Sequence, residues 1–426
     1  MLLGRTEEGL RYAVRQRPGS AVAYCALTVG GGTAGECAGD SKAFPEGTAH
    51  FVEHTLFKGT SRKRSSLINS YLDRLGGELN AYTTKEEIVL HATILKEDLR
   101  KAADLLLELA LDPVFPEKEI EKERGVIIDE IHSYKDTPSD DIYDCFEQRL
   151  FASHPLSRLI LGTAASVRRI RREHLLAFNR RFFRYDNMVL TLVGPAPEKQ
   201  MEALAKRLSA KWKAAALSRV EASVPASEAV GALPASPAFV PNPCFNQLLS
   251  KHNHQVNCIV GGLAPALSAR QQRIASILLC NILGGPATNS ILNDLLREKH
   301  GWVYSVECAY TPFADTGVYT VSFGCEKENL ERCLQLIRRE MQRLCEKTLS
   351  PRKFARCARQ LLGQLAVSAD SGEAQALSMG KSMLVFGTVH SDLQDREAVL
   401  SLTPEILQEV ARRLFAPQNI STLIYQ

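Results

Sequence analysis

The sequence has no run of about eighteen apolar residues, so no stretch of it is long enough to cross a bilayer as a helix. Its eleven cysteines include no Cys-x-x-Cys pair, and their number is odd, which argues against a disulfide framework. Several stand in apolar, strand-like runs, Cys25 and Cys258 among them, where a thiol behaves as a small hydrophobe. No Lys/Arg cluster interleaves with aromatics, which gives a nucleic-acid partner no support. The densest basic stretch, Arg169, Arg171 and Arg172 with Arg180 and Arg181, reads as a solvated helix face. The N-terminal Met-Leu-Leu-Gly-Arg-Thr-Glu-Glu-Gly has neither the apolar core of a secretory signal nor an Arg-rich presequence. A reducing, bacterial cytoplasm without membrane attachment is therefore the expected location. Neither sign of charge dominates, the net value being +4, and 45% hydrophobic with 23% charged residues is an ordinary globular balance. At 426 residues the chain exceeds one typical core, so two or more domains are expected.

What is present is His50-Phe51-Val52-Glu53-His54. In a helix, positions i, i+3 and i+4 share a surface, so both imidazoles and the carboxylate face one point. Neutral imidazoles suit zinc, and a catalytic zinc takes three protein ligands and a water. His50 and His54 supply two ligands, and Glu53 is placed to accept the water's proton. This HxxEH order inverts the commoner HExxH pattern of zinc peptidases. Gly47-Thr48 is a helix-start signal with Thr48 as a cap. The third ligand must come from elsewhere. Residues 117–135 follow Pro113 and Pro116 and carry Ile120, Ile127, Ile131 and Tyr134 at helical spacing. Most charge on such a helix is a solvated face, but Glu123 and Glu130 border the apolar stripe, two turns apart. Glu130 is the candidate ligand and Glu123 a supporting carboxylate.

With these residues in place the chain resembles the insulinase/pitrilysin family of zinc metallopeptidases, which includes the mitochondrial processing peptidase. That family's HxxEH is followed by a glutamate at the spacing found here, Glu130 lying 76 residues beyond His54. Glu123 matches its auxiliary glutamate. Leu75-Gly76-Gly77-Glu78-Leu79-Asn80-Ala81-Tyr82-Thr83 is similar to its LGGxxNAxT stretch, which implies that Asn80 and Ala81 hold a substrate backbone along a strand edge. As local structure, Gly76-Gly77 is also a tight turn. Arg297-Glu298-Lys299-His300-Gly301-Trp302-Val303-Tyr304 resembles the family's RExxGxxY stretch. By that likeness Arg297 fixes a substrate carbonyl or C-terminus, and Tyr304 bonds the carbonyl or tetrahedral oxyanion. Trp302-Val303 departs from the small pair usual before this Tyr, and Pro286 departs from a small-residue run.

The chain also repeats itself. Arg181-Phe182-Phe183-Arg184-Tyr185-Asp186-Asn187 is echoed by Arg413-Leu414-Phe415-Ala416-Pro417-Gln418-Asn419, 232 residues on. Residues 214–243, rich in Ala, Ser and Pro, read as a linker. The expected domains are a catalytic, zinc-binding one over 1–213 and a substrate-binding one over 244–426. Alternating strands beside amphipathic helices indicate an α+β class, with helices packed on an antiparallel sheet in each half. The resemblance adds two homologous domains enclosing a chamber. The second half's counterpart of the HxxEH segment falls near residues 280–286 and has no ligand set, so one zinc per chain is expected. His252 and His254, in Lys251-His252-Asn253-His254, read as loop residues.

The function these features imply is a zinc-dependent endopeptidase of unstructured peptides. The expected partners are a peptide or unfolded chain and, by resemblance, a second copy or a related inactive chain. The alternative is a non-catalytic peptide-binding subunit of a heterodimeric peptidase. The intact HxxEH set weighs against it.

Overall fold

Eleven strands form two sheets in the computed structural model, which describes residues 1–37, 44–220, 244–251 and 254–426. In the first half these are β1 (Leu2–Arg5), β2 (Arg11–Gln16), β3 (Val22–Gly30), β4 (Glu78–Thr83), β5 (Glu87–Leu95) and β6 (Met188–Gly194). In the second they are β7 (Asn246–Leu249), β8 (Val256–Ala264), β9 (Val303–Pro312), β10 (Gly317–Cys325) and β11 (Ser421–Tyr425). The first-half helices are α1 (Thr48–Leu56), α2 (Ser65–Tyr71), α3 (Leu99–Leu111), α4 (Glu117–Lys135), α5 (Pro138–Phe151), α6 (Ala164–Arg169), α7 (Arg172–Phe182) and α8 (Glu198–Val220). Those of the second are α9 (Arg270–Gly284), α10 (Leu330–Glu346), α11 (Pro351–Ala369), α12 (Gly372–Phe386), α13 (Asp392–Leu400) and α14 (Pro404–Leu414).

The sheet orders are β1-β2-β6-β3-β5-β4 and β7-β11-β8-β10-β9. With β1 set aside they are the same sheet built twice. In each, the outermost pair is parallel (β2 with β6, β7 with β11) and every other pair is antiparallel. Helices repeat with them, since α1 packs on α7 as α9 packs on α14. The expected α+β architecture of two homologous domains is what the chain adopts. The single parallel pair in each sheet was not part of that expectation.

The central strands explain which helices cover them. Along β3, Ala23, Cys25, Leu27 and Val29 enter one core while Ala26 enters another, and every position of β6 is buried. Successive side chains of a strand point to opposite faces, so this sheet is apolar on both and needs cover on both. Helices α1, α3 and α8 cover one face. The other is covered by α12, whose Ala376, Met379 and Met383 meet Ala26, Val189 and Val193. In the second sheet α5 does the same work, lying on β8 and β11 with Phe146 fully buried. The compact units are accordingly discontinuous: Ser368–His390 belongs with the first and Ser133–Ser157 with the second. Each expected domain, 1–213 and 244–426, thus lacks one helix of its unit and contains one of the other's.

The stretch read as a linker also begins differently. Helix α8 runs on to Val220, through residues 214–220, with Trp212 and Ala216 buried. Alanine is the strongest helix former, so Ala214-Ala215-Ala216 prolongs the helix. The remainder, 221–243, lies outside the described residues, as does His252.

Gly380 lets α12 reach its sheet: a Cβ there would sit 2.2 Å from Thr28 Oγ1 on β3. Gly380→Leu is expected to destabilise the fold by about 1–3 kcal/mol through overpacking, read from urea unfolding. An unchanged midpoint would mean that α12 does not bear on β3 as described.

Candidate metal centre

Helix α1 starts inside the protein. Its N-cap, Gly47, has φ 88°, and a Cβ there would approach Leu161 O to 2.6 Å, so both backbone and space require glycine. Thr48 does not cap the helix as expected; its hydroxyl donates to Pro45 O at 2.6 Å. The free amides are taken instead by Glu36, on the 3-10 turn Ala34–Cys37. Its carboxylate accepts from Ala49 N at 2.9 Å and from Gly47 N at 3.3 Å. Glu36 is fully buried, and Arg158 Nη1 stands 3.3 Å away. Arg158 donates to Phe44 O as well, and Lys85 Nζ donates to Arg158 O. Burial pushes the Glu36 carboxyl up to about 8, outweighing the Ala49 amide, Arg158 and the Gly47 amide, which favour its charge.

So anchored, α1 buries Phe51, Val52, Thr55 and Leu56 and turns His50, Glu53 and His54 to one side. Helix α4 brings Glu130 to meet them. Glu130 Oε2 lies 3.9 Å from His50 Nε2 and 3.5 Å from His54 Nε2. Two ligands of a tetrahedral zinc with bonds of about 2.0–2.1 Å stand about 3.3 Å apart, so small side-chain adjustments close this triangle around an ion. Among the described residues this is the one group of three or more His, Cys, Asp or Glu donors placed to share a cation.

The surroundings suit the same purpose. Glu123, buried two turns before Glu130 on α4, accepts from His54 Nδ1 at 3.1 Å and pairs with Lys58 Nζ at 2.8 Å. With the proton held on Nδ1, the Nε2 lone pair is left facing Glu130, free for a metal, as a carboxylate on the far nitrogen usually arranges for a metal-binding histidine. His50 is only 7% exposed, and its Nδ1 has no hydrogen-bond partner among the described residues. Burial, reinforced by the charge of His54, lowers its pKa to about 4, so the ring is neutral and ready to donate. Burial disfavours charge on His54 too, but Glu130 and Glu123 outweigh it and raise its pKa. When His54 is doubly protonated, its Nε2–H turns to Glu130 as a donor, and this lowers the pKa of Glu130. Donor types, spacing and a desolvated neutral imidazole all fit zinc.

Glu53 is not part of the triangle. Its Oε2 accepts from Thr83 Oγ1 at 2.6 Å, which fixes the carboxylate against the end of β4. Burial raises its pKa, with Thr83 and His54 opposing. A carboxyl tuned upward is better matched to taking and returning a proton near neutrality.

Asn80 and Ala81 lie on β4, the outermost strand of its sheet, with Asn80 exposed. The strand's outer side is free of any neighbouring strand among those described. Gly76, at φ 70°, makes the turn before it. Arg297 and Tyr304 belong to the second unit. Arg297 sits on a π-helical turn, Asn293–Lys299, with its guanidinium 2.9 Å from Glu298; Tyr304 is 81% exposed on the edge strand β9. Trp302 is half-buried and stacked on His300, centroids 4.1 Å apart, so its ring is engaged within its own unit. Pro286 is exposed.

Sequence reasoning missed Glu36, Thr83 and Lys58. Thr83 stood in the quoted motif without a role, and Lys58 lies one turn past His54. No sequence signal marks Glu36, because its partners, Ala49 N and Arg158, are joined to it only by folding.

Two substitutions test this construction. Glu123→Gln is expected to weaken zinc binding about 10–100-fold by loosening His54, measured by competition with a chromophoric chelator; unchanged affinity would sink the assignment. The second concerns pH. The folded state holds the Glu36 proton more tightly than the unfolded chain, so this group's contribution to stability is full below about pH 4.5 and is lost towards about pH 8. Glu36→Gln should therefore flatten the fall in unfolding free energy between about pH 5.5 and 8; a slope equal to the parent's would refute it.

The chain is similar to known proteins along most of its length. Residues 11–164 match the family described as Insulinase (Peptidase family M16), and residues 169–361 match that described as Peptidase M16 inactive domain. Relatives named uncharacterized zinc protease occur in several bacteria. The protein from Rickettsia bellii is 27% identical over 379 residues, 89% of this chain and 87% of its own. That from Streptomyces coelicolor is 29% identical over 367 residues, 86% and 78% of the two chains. The Bacillus subtilis protein is 28% identical over 385 residues, 89% and 88%. Solved structures share the fold. A peptidase M16 inactive domain from Pseudomonas fluorescens has TM-score 0.86 at 19% identity, covering 100% of this chain and 97% of that one. A protease from Helicobacter pylori has TM-score 0.85 at 18% identity, covering 100% and 99%. With both halves matched in order and the fold shared end to end, the chain belongs to the insulinase family of peptidases, family M16.

Proposed function

We propose that this chain is a zinc-dependent endopeptidase that hydrolyses unstructured peptides. The observation that carries the reading is the convergence of His50 Nε2, His54 Nε2 and Glu130 Oε2 beside Glu53, itself held by Thr83. Zinc at that point would supply Lewis acidity, polarising a carbonyl and making water acidic enough to be deprotonated near pH 7. His50, His54 and Glu130 would hold it, with Glu123 orienting His54. Glu53 takes the proton from the attacking water on its carboxylate, keeps it while the tetrahedral carbon forms, and returns it to the leaving amine nitrogen.

The outer edge of β4 supports an extended substrate, because an unpaired strand edge offers amides and carbonyls to an incoming backbone. Asn80 and Ala81 are the residues of that edge proposed to hold it. A folded protein has most of its backbone already paired in its own helices and sheets, which favours unstructured chains. Arg297 and Tyr304 complete the proposal as groups for a substrate carbonyl, Tyr304 supported by its exposure. Pairing with a second copy or a related chain is part of the same reading.

A second reading remains, favoured by the match of residues 169–361 to a domain described as inactive: a subunit that binds peptides without cutting them. One experiment separates the two. The parent protein loaded with zinc should cleave members of a quenched peptide library, and Glu53→Gln should keep the metal while losing about 10²–10⁴-fold in rate, the usual worth of a general base. A metal-loaded parent that cuts nothing would favour the binding subunit. Removing zinc with a chelator should likewise abolish cleavage, and re-addition should restore it.

A further inference from the structure

Helix α1 carries the two imidazoles of the triangle and α4 its carboxylate, so the candidate centre exists only while these two helices keep one spacing. A second bridge joins them. Lys58, four residues past His54, sends its Nζ to Glu123 Oε1 at 2.8 Å, and the other oxygen of that carboxylate accepts from His54 Nδ1 at 3.1 Å. Glu123 thus gives one oxygen to each neighbour. All three groups are largely withdrawn from water, with side-chain exposures of 21% at Lys58, 10% at Glu123 and 22% at His54. Glu119, one turn earlier on α4, is engaged with Lys122 at 2.9 Å. Helix α1 ends at Leu56, and Lys58 N donates to Thr55 O at 3.1 Å in the turn from which the side chain reaches α4.

A neutral imidazole carries its proton on either nitrogen, and the hydrogen bond made by one nitrogen decides which of them is left for a metal. Glu123 makes that choice for His54 only while an oxygen lone pair stays aimed at Nδ1. The last torsion of a glutamate is broad, so a carboxylate held from one side alone is free to turn. The ammonium on Oε1 removes that freedom with a charge-assisted bond, the strong kind. A simpler role is also open to Lys58, since a cation just past the end of a helix offsets its dipole. That role would not distinguish the two nitrogens of His54.

We propose that Lys58 is a positioning residue of the candidate metal centre, fixing His54 through Glu123 in the tautomer whose Nε2 is free for the metal. This rests on the zinc reading of the site, and the two can fail separately, because the tautomer is measured without metal.

The test begins with NMR of the metal-free full chain carrying ring-¹⁵N histidine, at a pH where His54 is neutral, its signals assigned by their loss in His54→Gln. The parent should show His54 protonated on Nδ1. Lys58→Met should populate the Nε2–H form, whereas Lys58→Arg, which keeps a cationic donor for Oε1, should match the parent. Competition with a chromophoric chelator should then show zinc bound about tenfold more weakly by Lys58→Met, the lower end of the range for groups behind a metal ligand, and restored by Lys58→Arg. Lys58→Met leaves a buried carboxylate short of its cation; adding Glu123→Gln removes that charge too and provides a variant that folds if the single one does not. Because Lys58 acts through Glu123, this double variant should bind zinc as Glu123→Gln does, the two losses not adding. A parent that binds no zinc would overturn the zinc reading, while the tautomer in the metal-free chain decides the role of Lys58 by itself. An unchanged tautomer in Lys58→Met, a lowered melting temperature with zinc affinity intact, or additive losses in the double variant would overturn the inference.

Discussion

A strand that is apolar on both sides has to be covered on both sides, and the central strands of both sheets are of that kind. Each sheet finds half of its cover in neighbouring helices and the rest in a helix drawn from the other half of the sequence, α12 for the first and α5 for the second. This requirement ties the two halves of the chain together covalently and energetically. It also explains why Gly380 faces Thr28 with no room for a side chain and why Phe146 is fully buried. Without the exchanged helices, β3 and β6 would expose their second face.

The sheet in turn fixes the candidate metal centre. Strand β4 is its edge and delivers Thr83 to Glu53; the turn before α1 delivers Glu36 to the helix's open amides. A helix that begins in the interior cannot leave its first amides to water, and an unpaired buried amide is costly. Glu36, itself stabilised by Arg158, meets that need and sets where His50 and His54 stand. The residues placed to share a metal are positioned in this way by groups outside their triangle.

Duplication has diverged in chemistry more than in shape. The two sheets keep the same strand order and the same parallel pair, yet the first half gathers His50, His54 and Glu130 while the counterpart segment near residues 280–286 brings no such set together among the described residues. Side chains lining a cleft are free to change as long as the buried stripes that pack the helices are kept.

The chemistry was legible in the sequence because helical geometry is local. His50, Glu53 and His54 share a face by spacing alone, and α4, with Glu123 and Glu130 two turns apart, was visible from the stripe of Ile120, Ile127 and Ile131. Repeats are also visible along the chain, so the doubled α+β architecture could be read from Arg181–Asn187 and its echo. What depends on contacts between distant residues was not. The exchange of α5 and α12, the capping of α1 by Glu36 in place of Thr48 and the hold of Thr83 on Glu53 all join residues that no period relates. Local order follows from the backbone's own periodicity, whereas these follow from which surfaces must leave water together, and only the folded chain decides that.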